Sequence, residues 1–95
     1  METYMKNLYT TLAKAIIEQQ EYVVGSLAWI EAEKVEGLSV KDHTVVVEGE
    51  GKKILELLIL QYENLFGRAS VEVCRGAVKN LILDVDKSQV PEILR

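Results

Sequence analysis

The first third of the chain constrains everything after it. Residues 4–34 carry apolar side chains at helical intervals: Tyr9, Ile16, Val23 and Ile30 form one heptad row, and Leu8, Ala15, Tyr22 and Trp29 the row beside it. Met5, Leu12 and Leu27 widen the stripe, while Lys14, Glu18 and Glu21 mark the opposite, wet face. An unbroken helix of roughly 30 residues would be about 45 Å long, against a diameter near 30 Å for a compact domain of this size. Such a helix either breaks at Gly25-Ser26 or projects a stripe that another chain must cover. The rows stay in phase across Gly25 as far as Ile30, which favours a second subunit. Gln19 and Gln20 interrupt the rows, either as solvated residues or as register-setting hydrogen-bond partners across an interface.

Composition points the same way. Of 95 residues 48% are hydrophobic, with only six Gly and one Pro, so apolar side chains are plentiful and loop chemistry is scarce. A single domain this small has a thin core, and oligomerisation is the economical way to bury the surplus. The net charge of −4 argues against a general nucleic-acid binder. It is uneven: residues 1–50 hold four basic and nine acidic side chains, residues 51–95 seven and six. One cysteine, Cys74, leaves no intrachain disulfide and suggests a reducing interior. With no signal-like segment and no apolar run of membrane-spanning length, the expectation is an acidic cytoplasmic protein without a membrane partner.

Further along, the period changes. Residues 37–41 and 44–48 read as a β-hairpin turning at Asp42-His43, with one continuous strand over 38–48 as the alternative. Residues 52–66 read as a second helix ending at Gly67, apolar on most sides and therefore covered on most sides, again by a partner. Residues 70–75 and 81–85 alternate as a second hairpin. Ser88 could cap a short terminal helix, although Pro91 sits late for one and favours an extended tail. The expected fold is a single α+β domain over residues 1–95 in the order α-β-β-α-β-β, its antiparallel sheet completed or covered by a second subunit.

Candidate chemistry is sparse. Strand, glycine loop and helix succeed one another at residues 45–53, but a phosphate loop would need glycine where Val46 stands and a hydroxyl where Lys53 stands. Helix amides with Lys52 and Lys53 could still hold a small anion at the 49–53 turn. His43, the only histidine, lacks nearby ligands or a catalytic partner and reads as a turn residue. Cys74 reads as a buried, inert thiol. Asp84 and Asp86 lack a third ligand, and Arg68, Arg75 and Lys79 form at most a basic spot. No catalytic residue, metal site or cofactor is indicated. Tyr22 and Trp29 suit an interface better than a ligand pocket.

In its length, its Val/Ile/Leu/Glu/Lys bias and segments such as residues 53–60, the chain resembles small archaeal orphan proteins that fold as intertwined α+β homodimers. That resemblance implies a homodimer and carries no functional residues. The resulting expectation is a non-enzymatic homodimeric interaction or structural module acting through its charged dimer surface and able to engage a further protein. Its expected interface is drawn from Tyr9, Ile16, Tyr22, Val23, Leu27, Trp29, Ile30, Leu58 and Tyr62. The alternative is an anion-binding or regulatory module sited at residues 49–53.

Overall fold

A computed structural model describes residues 2–95, with side chains from residue 4 onward. The long helix does break. Helix α1 spans Glu2–Val24 and α2 spans Leu27–Ala32. At Gly25 the backbone turns left-handed (φ +71°), and its N–H closes on the Glu21 carbonyl at 2.9 Å, the αL ending that only glycine adopts without strain. The 23 residues of α1 are about 34 Å long. The longest dimension of the molecule is 34 Å. The helix stops where the globule does, so in-phase apolar rows do not continue as one rod, and the projecting-helix argument for a partner falls away.

The first hairpin forms as expected, as β1 (Leu38–Lys41) and β2 (Thr44–Val47), antiparallel with Leu38 opposite Val47 and Lys41 opposite Thr44. Asp42 and His43 both have positive φ (51° and 63°), the conformation of a two-residue hairpin turn whose twist matches the strands. Leu38, Val45 and Val47 face the core, and Val46 faces out.

Helix α3 spans Gly51–Phe66 and ends at Gly67, whose N–H reaches the Glu63 carbonyl at 2.9 Å. Ile54, Leu55, Leu58, Ile59 and Tyr62 are buried. The covering that its apolar sides require comes from α1, α2 and α4 of the same chain.

The second hairpin is not there. Residues 70–75 belong to α4 (Ala69–Val78), and residues 79–84 are turns stitched by Leu81 and Ile82 N–H groups to the Val78 carbonyl. The misreading has a plain cause. Four residues that alternate as Val71-Glu72-Val73-Cys74 fit a strand, but Ser70, Val71, Cys74 and Val78 also form one helical face, and that face is the buried one. Gly76, read as a turn, lies inside the helix. Among the described residues the fold is therefore α+β with four helices and one two-stranded sheet, in the order α-α-β-β-α-α. The C-terminal segment is neither one helix nor an extended tail. It forms two 3-10 turns, Lys87–Gln89 and Glu92–Leu94, laid on the core by buried Val90 and Leu94. The Tyr9 hydroxyl donates to the Gln89 carbonyl at 2.7 Å, and Arg75 Nε donates to that of Ile93 at 2.8 Å.

Candidate interaction surface

Three hydrogen bonds fix how the elements meet around the Gly25 elbow. The Tyr62 hydroxyl donates to the Ala28 carbonyl (2.7 Å), and Gln61 Nε2 donates to Glu31 Oε1 (2.9 Å), so α3 is tied to α2. Gln20 Nε2 donates to the Ser70 carbonyl (2.9 Å) and also lies 3.4 Å from Cys74 Sγ, tying α1 to α4. Gln20 is fully buried, and its partners lie in its own chain rather than across a subunit boundary; Gln19 is solvated. The Gln20 Oε1 has no partner among the described residues, a cost of about 1–3 kcal/mol for a buried acceptor.

Several large apolar residues of α1, α2 and α3 are nevertheless uncovered. Tyr22 is 86% exposed, Val23 62%, Leu27 46%, Ile30 49% and Leu65 51%. The nine expected interface residues thus divide. Tyr9, Ile16, Trp29, Leu58 and Tyr62 are buried within the single chain and are core, whereas Tyr22, Val23, Leu27 and Ile30 are free surface. The sequence could not separate them, because spacing assigns a residue to a row while burial depends on which elements lie across that row, even within α1 where Ile16 is buried and Val23 exposed. Leu65 was not singled out as an interface residue; its exposure depends on what packs against α3.

Trp29 is buried and, with Ile30, borders the hairpin turn. Its indole stacks on the His43 imidazole, with ring centres 4.2 Å apart and planes 3° from parallel. His43 is a turn residue, as its sequence context suggested, and it caps the core edge. Glu31 is held by Lys34 Nζ at 2.9 Å as well as by Gln61, and these hydrogen bonds lower its pKa. It therefore contributes stability above the ordinary carboxylate range that is lost as acid protonates it.

The strand-to-helix turn at residues 49–53 borders an open groove of about 560 Å³, lined by Met5, Lys6, Tyr9, Val47, Glu48 and the two glycines Gly49 and Gly51. Lys52 and Lys53 do not line it. Lys53 pairs with Glu56 at 3.0 Å, and Lys6 is the groove's cation. The expected anion contacts therefore do not converge there, and Glu48 faces the same space.

Cys74 is buried, as expected, but on a helix rather than a strand. Burial pushes its thiol up to about 11, against the opposing pull of the Gln20 amide. Tyr62 and Tyr9 are also raised, both first by burial. A folded-state pKa above the unfolded one leaves stability intact below the ordinary thiol value of 9.0 and removes it as pH climbs toward 11. Urea unfolding at pH 7.5, 9 and 10.5 is expected to show stability falling over this window. In Cys74→Ala the loss at pH 10.5 should be smaller by about 1–2 kcal/mol. Parallel curves for the two proteins would remove the thiol from the account.

Asp86 accepts from the Ser88 N–H and hydroxyl, each at 2.8 Å, and caps the first 3-10 turn; Asp84 is exposed and does not join it in a carboxylate pair on a strand. Among the described residues no cluster of three His, Cys, Asp or Glu side chains is placed to hold a metal, and no helix is long and apolar enough to cross a membrane. Compared with protein-family models, curated proteins and solved structures, the chain matches none.

Proposed function

We propose that the protein is a non-enzymatic homodimeric interaction module, with the elbow of α1 and α2 as part of its association surface. One observation carries this reading: Tyr22, Val23, Leu27 and Ile30, within nine residues of the chain, all stand exposed. Single exposed apolar side chains are ordinary, but four large ones on either side of one helix break are more than a solvated face needs. The charged flanks of that surface supply specificity more than affinity. Light scattering on a sizing column, on dilution below a micromolar, should return a dimer mass, and Val23→Glu with Leu27→Glu should return a monomer of unchanged helix content. A clean wild-type monomer sinks the reading.

The groove beside Gly49 and Gly51 supports a second reading, a small-ligand module with an apolar floor of Met5, Tyr9 and Val47 between Lys6 and Glu48. It becomes the leading one if the chain is monomeric.

A further inference from the structure

We infer that residues 86–95 form a strap that opens from the helical body as one unit, and that Tyr9 is the clasp linking it to the groove beside Gly51.

The strap is self-contained. The last backbone hydrogen bond before it runs from the Val85 N–H to the Ile82 carbonyl, and from Asp86 onward every one closes within the strap. The Gln89 and Val90 N–H groups return to the carbonyls of Asp86 and Lys87, and those of Leu94 and Arg95 to the carbonyls of Pro91 and Glu92. Side chains tie it further to itself. Asp86 accepts from the Ser88 N–H and hydroxyl, and Arg95 Nε reaches back to the Val90 carbonyl at 3.0 Å, joining the second turn to the first. The strap can therefore leave without breaking a backbone bond of any helix or strand.

Few contacts hold it down. Val90, Pro91 and Leu94 are buried. Two side chains of the body grip its main-chain carbonyls: the Tyr9 hydroxyl donates to that of Gln89 at 2.7 Å, and Arg75 Nε to that of Ile93 at 2.8 Å. Among the described residues no ion pair joins strap to body. Ordering the backbone of such a segment offsets most of what so few contacts contribute, which places it at the low end of local stability. Because Arg95 ties the two turns together, a grip lost on one loosens both.

Tyr9 touches both sides. Its ring borders the groove with Met5 and Val47 and lies against Gly51, while its hydroxyl holds the strap. A group that displaces the ring from the groove side takes the clasp off the Gln89 carbonyl. The coupling is reciprocal: an open strap leaves the ring free to yield to an occupant of the groove.

Native-state hydrogen exchange on the full chain tests this through the Val90 and Leu94 amides, one from each end of the strap. In the wild type both should exchange faster than the centres of α1 and α3, through an opening that denaturant barely promotes. Tyr9→Phe keeps the ring and removes the hydroxyl. It should accelerate both amides by about fivefold, Leu94 as much as Val90, although the lost bond is at Gln89. Arg75→Gln should likewise accelerate both from the other end. Gly51→Ala presses on the ring from the groove side and should accelerate the same pair. Acceleration confined to the amide nearer the lost grip, or exchange of the pair only with the whole domain, overturns the strap as a unit. A pair that Gly51→Ala leaves unmoved overturns the link to the groove.

Discussion

Replacing Gly51 with alanine is expected to cost about 2–3 kcal/mol, lowering the melting temperature by roughly 10 °C or more. Gly51 is buried at the first position of α3, and an added Cβ would overlap the Tyr9 ring. The ring has little room to yield. It is buried, and its hydroxyl is fixed to the Gln89 carbonyl, so moving it also disturbs the C-terminal segment. A denaturation series on wild type, Gly51→Ala, Tyr9→Leu and the double variant checks the cause. If the clash is the mechanism, Gly51→Ala should cost much less on the Tyr9→Leu background. Additive losses would place the effect in the helix start instead.

Tyr62→Ala is the second large loss, about 3–5 kcal/mol for emptying a fully buried aromatic site. The more informative change is Tyr62→Phe, which keeps the ring and leaves the Ala28 carbonyl without its donor, at a cost of about 1–3 kcal/mol. Helix α2 has only six residues and cannot be stable by itself. Hydrogen exchange should therefore show α2 amides losing protection in Tyr62→Phe, while the centres of α1 and α3 keep theirs. Uniform loss across all three helices would mean that α2 opens only with the whole domain.

Both variants probe contacts between residues more than thirty apart in the chain, and this is where the sequence runs out. Elements with their own local signals were readable. The Asp42-His43 turn between β-branched runs gave the hairpin, and a long apolar run closed by Gly67 gave α3, because turn chemistry and capping act within a few residues. The α1–α2 stripe was readable as helix, though its break was set by the size of the globule. Residues 70–85 lacked such signals. A four-residue alternation has no preferred period, and the packing of Ser70 and Cys74 against Gln20 decided for helix.

The candidate surface divides along the same line. That Tyr22, Val23, Leu27 and Ile30 belong to an apolar stripe is written in their spacing. That these four are exposed while Tyr9, Ile16, Trp29, Leu58 and Tyr62 are core follows from the left-handed turn at Gly25 and from which helices lie across it. The sequence suggested anion contacts from Lys52 and Lys53 at the 49–53 turn, whereas the groove bordering that turn takes its cation, Lys6, from α1. Periodicity assigns a residue to a face because that is local geometry; what covers the face depends on contacts between distant segments, and only the folded chain decides it.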